Sequence, residues 1–308
     1  MGQARGLERQ PIAMDIRDKT HITHEDVVGL NFIRSPNRFV FRQHFRQGLR
    51  SHVLEALDPR DVAAEIQGVE SEGIRWFPRA RPRRMLRLFR TRFDSLDRAL
   101  REIERFRIVQ TYLSVDQYAA SDEFIVEYAS DSKSRILLCG LQEYVHGAVL
   151  DPWSEALSLE NLSALFPDLE PGTPPAAWRV QESAERFVAS VKIMVQESGF
   201  VPDLAGIGNL ILTPAGKIRL VDINNICRAD PACGVQIDDK GYPVCDRSVQ
   251  VLAILEEKLV GRGPDMSEPL YRAFLSSKRK SEAEELELKF FRKKKFEPLQ
   301  QPFPLIET

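Results

Sequence analysis

Residues 201–209 read Val-Pro-Asp-Leu-Ala-Gly-Ile-Gly-Asn, and after a short apolar hairpin residues 220–225 read Leu-Val-Asp-Ile-Asn-Asn. The hairpin is expected to run from Asn209 to Ile223 with Pro214-Ala-Gly216 as its turn, because two apolar runs flank a Pro/Gly cluster. That arrangement brings Asp203, Asn209 and Asp222 to the ends of adjacent strands. Two carboxylates and an amide form a set of hard oxygen donors suited to magnesium. The same residue types also favour loop caps and hairpin turns for local reasons, so a structural role competes with the functional one. On either side the pattern turns helical. Upstream, Gln181 to Ser198 carries Phe187, Val191, Met194 and Val195 at helical spacing and stops at Gly199. Downstream, Asp246 to Leu259 is apolar at Val249, Leu252, Ala253 and Leu255. Between Pro167 and Pro175 four prolines and a glycine predict a loop.

Further upstream the periodicity alternates between strand and helix. Met85 to Phe93 predicts a strand, Ser95 caps a helix with apolar positions Leu96, Leu100, Ile103, Phe106 and Leu113, and strands are expected over 123–128 and 135–145. Asp131 to Ser134 lies between those strands as a turn. Nearer the N-terminus, Thr23 before His24-Glu-Asp marks a helix start, and Asp58-Pro59 marks a break ahead of a short element at Asp61. Ser35-Pro36 opens a predicted helix on which Phe41, Phe45, Leu49 and Val53 recur every four residues, beside a row of Arg34, Arg38, Arg42, Arg46 and Arg50. Such a helix is either a solvated basic face or a surface for an anionic or acidic partner over 34–50. The tail from Ser276 alternates acidic and basic blocks and reads as a solvated helix.

Charge is distributed unevenly. The net formal charge is −2, yet from Arg34 to Arg92 fourteen arginines face six acidic residues, and no lysine occurs between Lys19 and Lys133. That region should attract anions. The whole chain has 308 residues, 43% hydrophobic and 29% charged, with 17 Gly and 19 Pro scattered along it, which excludes a fibrous or wholly disordered protein. No apolar run approaches the roughly 18 residues of a membrane span, and the first residues lack the apolar core of a signal peptide, so a cytoplasmic location without membrane association is expected. The four cysteines are too few for a disulfide framework and none forms a C-x-x-C pair, so a zinc site would have to borrow carboxylates and reduced thiols are the expectation.

Taken in order, these segments resemble the protein-kinase-like superfamily, which includes protein kinases and the aminoglycoside and choline kinases. The resemblance covers about residues 65 to 260. It implies an α+β, two-lobed protein-kinase-like fold with a helical N-terminal extension. The corresponding domains would be a helical basic extension over 1–60, a small β-rich lobe with one long helix over 61–145, a larger mainly helical lobe over 146–275 and a charged tail over 276–308. By the same resemblance Asp203 would accept or orient the proton of an attacking hydroxyl, and Asn209 and Asp222 would hold Mg2+ bridging the phosphates of ATP. Leu141-Gln-Glu-Tyr-Val-His-Gly147 is similar to the segment joining the lobes, where backbone groups of Glu143 and Val145 would meet the adenine edge. Asp246 would brace the catalytic loop.

The chain departs from that pattern in named places. The family's phosphate-binding lysine has no counterpart, so Arg87, or Arg90 in another register, would take its place, with Glu102 preferred over Glu104 as its helix partner. Gly68-Val-Glu-Ser-Glu-Gly73 keeps two glycines of the phosphate loop but puts Glu70 and Glu72 where phosphates would be repelled. Val201-Pro202 replaces the usual His-Arg, the Asp-to-Asn interval is six residues, and Ile-Asn-Asn follows Asp222. The resemblance implies a divergent Mg-ATP-dependent phosphotransferase acting on an unidentified hydroxyl acceptor. Two alternatives stand beside it: a pseudokinase-type binding or regulatory module without turnover, and an ATP-grasp-like ligase in which Asp222-Ile-Asn224 holds magnesium.

Overall fold

A computed structural model describes residues 15–30, 32–45, 48, 50–130, 133–165 and 174–296. The chain is a mixed α+β protein with several helices and open sheets. It divides into two compact units, one formed by residues up to 103 with 120–144, the other by 104–119 with residues from 145 onward. Among the described residues no helix is long and apolar enough to cross a membrane.

The first unit contains α1 (His24–Val28), β1 (Val40–Gln43), β2 (Ser51–Leu57), α2 (Pro59–Gln67), β3 (Val69–Ser71), β4 (Ile74–Trp76), β5 (Pro82–Phe89), the start of α3 (Leu96–Tyr112), β6 (Ser121–Ser130) and β7 (Lys133–Glu143). Five strands form an antiparallel sheet in the order β1-β2-β5-β7-β6. Side chains alternate across a strand with period two, so Leu54 and Ala56, Leu86 and Leu88, and Leu137 and Cys139 share one face. They pack there with Ile16, Ile22 and Val27 from the N-terminal segment. Thr23 and Asp26 close a reciprocal capping box at the start of α1.

The helix expected over 34–50 does not form, which corrects the picture of a helical extension over residues 1–60. Pro36–Arg38 is a single 3-10 turn, and residues 40–43 and 51–57 are two strands of the main sheet. The four-residue spacing of Phe and Arg matched a helix by coincidence. Phe39-Val-Phe is aromatic and β-branched, and β2 is buried on both faces, so sheet packing outweighs the helical pattern. Arg34, Arg38 and Arg42 therefore do not form the helical row expected of them. Arg42 pairs with Glu55 and Glu65 and donates to the Ala80 carbonyl, whereas Arg34 and Arg38 are exposed around the turn. Arg46 and Leu49 lie outside the described residues, as do Asp131, Ser132 and 167–173 of the expected loops.

The glycine-rich stretch 68–73 forms a helix end and a hairpin turn. Gly68 (φ +75°) ends α2, and Glu72 (φ +53°) with Gly73 (φ +77°) makes the two-residue turn of the β3–β4 hairpin.

The second unit holds the end of α3, β8 (Ala148–Val149), α4 (Leu159–Ala164), α5 (Ala176–Ser198), β9 (Phe200–Pro202), β10 (Leu210–Leu212), β11 (Ile218–Leu220), β12 (Ile226–Arg228), α6 (Val244–Leu255), α7 (Pro269–Phe274) and α8 (Ser277–Phe296). A π-helical turn, Glu256–Val260, continues α6. Gly199 ends α5 in the left-handed conformation (φ +71°) that glycine adopts without strain. The core of this unit joins Phe187, Val191 and Met194 of α5 to Val249 and Leu252 of α6 and to Leu210, Leu212, Ile218 and Leu220 of the β10–β11 hairpin. The four cysteines are free thiols.

Candidate active site

Two short sheets hold the acidic constellation. β9 pairs with β12, and the chain leaves β9 directly into Asp203, whose N–H donates to the Asn225 carbonyl at 2.8 Å. β10 pairs with β11, and the Val221 N–H donates to the Asn209 carbonyl at 2.8 Å, which ties the approach to Asp222 to the end of the Asp203 loop. Asp203, Asn209 and Asp222 are thus brought together inside the second unit by backbone pairing.

Asp203 is buried and its carboxylate accepts three hydrogen bonds from its own surroundings. Oδ1 accepts from the backbone N–H groups of Ala205 (3.0 Å) and Gly206 (3.2 Å), and Oδ2 accepts from the Asn225 amide (2.7 Å). Burial pushes its pKa up to about 6, with the Asp222 carboxylate adding repulsion, while these three hydrogen bonds act in the opposite direction. Asn209 donates its Nδ2 to the Asp203 carbonyl at 2.9 Å, which leaves Oδ1 as the acceptor end of that side chain. Gly206 permits this approach, since a Cβ at that position would lie 2.6 Å from Asn209 Nδ2. Two further contacts fix the loop: Trp153 Nε1 donates to the Ala205 carbonyl (2.9 Å), and the Leu204 N–H donates to Ser248 Oγ (3.0 Å).

The donor set fits a hard divalent cation. One carboxylate is held in a pocket where a second raises its proton affinity, so a positive charge there would relieve a repulsion built into the fold. Among the described residues no cluster of three or more His, Cys, Asp and Glu side chains gathers. One or two carboxylates with an amide oxygen suffice for magnesium, which keeps water and phosphate ligands of its own.

The remaining sequence candidates fall in separate places. Asp246 sits in the first turn of α6, fully buried, and takes the Arg279 guanidinium at 2.5 and 3.3 Å, while burial raises its pKa. Arg279 also donates to the Cys233 carbonyl (2.8 Å), so Asp246 organises the turn around Cys233 through Arg279, and the bond from α6 to the Asp203 loop comes from Ser248 instead. Val145 is buried in the second unit. In the first unit, Arg87 is buried on β5, on the sheet face opposite the one packed by Ile16 and Val27, with its guanidinium 5.7 Å from the Phe89 ring centre. Glu102 is half-buried on the α3 stripe of Ala99 and Phe106, whereas Glu104 is exposed. Glu143 ends β7 and donates its N–H to the Ala120 carbonyl.

Four residues went unassigned in the sequence. Asn225 clamps Asp203, Gly206 admits Asn209, Ser248 caps the loop, and Glu123 lies in one cross-strand row with Arg87, through Gly140. Asn225 carries a sequence signal, three residues after Asp222. Glu123 carries none, because its relation to Arg87 exists only once the strand register is set. No protein-family model matches this chain, and no curated protein matches it in sequence.

Proposed function

We propose that the chain is a divergent kinase-like phosphotransferase of the two-lobed type, using Mg2+ and ATP to phosphorylate a hydroxyl acceptor. The observation that carries this reading is the buried Asp203 carboxylate beside Asp222, with Asn209 oriented by the Asp203 carbonyl. The element order along the chain also supports it: strand, long helix and two strands, then a mainly helical stretch containing the loop and hairpin. Asn209 Oδ1 and Asp222 would hold the magnesium, which when bound neutralises phosphate charge. Asp203, with a pKa near neutrality, would accept the acceptor's proton at its carboxylate. Arg87, with Glu102 orienting it, is assigned to phosphate and the backbone of Glu143 and Val145 to adenine.

A module that binds nucleotide without turnover is the second reading. It is favoured by the three hydrogen bonds already made by the Asp203 carboxylate and by Glu70 and Glu72 in the 68–73 stretch, which would repel phosphate. A thermal-shift titration with ATP, with and without magnesium, tests both. A magnesium-dependent rise in Tm that Asp222→Asn removes supports the metal site; no rise in the wild type rejects both readings. Phosphate transfer to water or to added hydroxyl compounds, lost in Asp203→Asn with nucleotide binding retained, then selects the enzyme.

A further inference from the structure

We infer that the β3–β4 hairpin and the arginine-rich strand approach that follows it form a docking edge for an extended segment of a partner protein in which apolar and acidic side chains alternate. The hairpin is amphipathic. In its register Val69 faces Trp76 and Ser71 faces Ile74 on one side, while Glu70 faces Arg75 on the other. The apolar side is open: Val69 is 38% exposed, Ile74 69% and Trp76 52%, and beside them stand Ile66 at 71% and Phe77 at 61%. Helix α2, which precedes the hairpin, buries no residue either. Among the described residues β3 and β4 pair only with each other, so both outer edges carry unpaired backbone groups. A two-stranded hairpin with an uncovered apolar face is marginal on its own and gains most from a third strand.

Charge selects the occupant. Arg79 and Arg81 follow β4 and Arg84 lies on β5; all three are exposed and form no ion pair among the described residues. A shallow cavity of about 290 Å3 lined by Asp61, Ala64, Pro78, Arg79 and Arg81 continues from the same edge. A strand laid along β4 would continue the Ile74–Trp76 face with its apolar residues and meet Arg75, Arg79 and Arg81 with its acidic ones. An anionic lipid surface fits less well, because Glu70 and Glu72 occupy the hairpin tip. Nucleic acid fits less well too, because Ile66, Val69 and Ile74 offer a polyanion nothing. Exposed Trp and Arg together are the residue types that dominate protein interfaces.

The probe is a fluorescein-labelled Leu-Glu repeating peptide, with Leu-Gln and Leu-Lys peptides of equal length as controls, titrated into the full chain and followed by anisotropy. Binding of the Leu-Glu peptide is expected to exceed the controls at least about tenfold and to weaken as salt rises. Trp76→Ala should weaken it at least about tenfold, as should Arg79→Ser/Arg81→Ser/Arg84→Ser, with melting temperatures of both variants unchanged. Equal binding of the three peptides, binding insensitive to both variants, or no binding at all overturns the proposal. So does preferential capture by phosphatidylserine vesicles or polyuridine, or a concentration-dependent dimer in light scattering that Trp76→Ala abolishes.

Discussion

Asp203 works against the fold that holds it. An unfolded aspartate ionises near 3.8 and the folded one at about 6, so the native state prefers the neutral carboxyl. The sign follows: this group leaves stability intact below about pH 4, removes it progressively as pH rises to about 6, and above that costs up to about 3 kcal/mol. Asp203→Asn removes the buried charge but sets its amide nitrogen against the Asn225 amide, so its effect should be more favourable at pH 7 than at pH 4, by up to about 3 kcal/mol. Urea titrations at the two pH values check this, and equal effects at both would mean the carboxylate is not desolvated. Gly206→Ala is a second test. The atoms nearest the added Cβ are those of the Asn209 carboxamide, so the fold should lose about 1 kcal/mol or less while the magnesium-dependent nucleotide binding proposed above falls about tenfold. Calorimetric titration of magnesium and nucleotide reads that loss. At this scale the sequence indicated that Asp203, Asn209 and Asp222 come together, because the hairpin that joins them is set by residue type and short spacing. It hid Glu123 and Gly206, whose roles depend on strand register and on a close approach.

Among the elements, those whose ends are set locally were readable in advance. Helix α5 stops at Gly199, and the strand, helix and two strands around 82–143 occur where periodicity and Ser95 placed them. The first two strands were misread because a spacing of four suits a helix, while the burial of β2 on both faces is a property of the assembled sheet. The chain entering β8 supplies a sharper test. A Cβ on Gly147 would lie 2.3 Å from the Leu212 carbonyl oxygen of β10, a backbone atom that cannot step aside. Gly147→Ala should cost about 1–3 kcal/mol or more and loosen the β8–β10 pairing, seen as a lowered Tm and faster amide exchange at Leu212. Thr23→Ala removes one half of the capping box and should cost about 1 kcal/mol in the same melting measurement.

At the scale of the molecule, charged groups pull the pH profile in opposite directions. Asp116, hydrogen-bonded by Ser114 and Lys217, has its pKa lowered to about 2, so it supports the fold above pH 4 and withdraws that support as pH falls toward 2. Partly exposed, it contributes at most about 1 kcal/mol, so Asp116→Asn should lower stability at neutral pH by up to that amount, leave it unchanged near pH 2, and thereby flatten the acid limb of the stability curve. The sequence also separated a basic N-terminal half from the acidic constellation. It could not show that the first compact unit is discontinuous.

That discontinuity governs how the gene could be cut. Residues 104–119 leave the first unit and return to it, and Val109 and Leu113 within them belong to the other unit's core. A fragment ending at residue 144 would carry those two side chains bare, and one beginning at 145 would lack them. Neither half should express as a soluble protein, and only a recombinant chain that keeps both segments in order, or supplies 104–119 to the C-terminal half by rearranging the reading frame, should be recovered from the supernatant of a lysate.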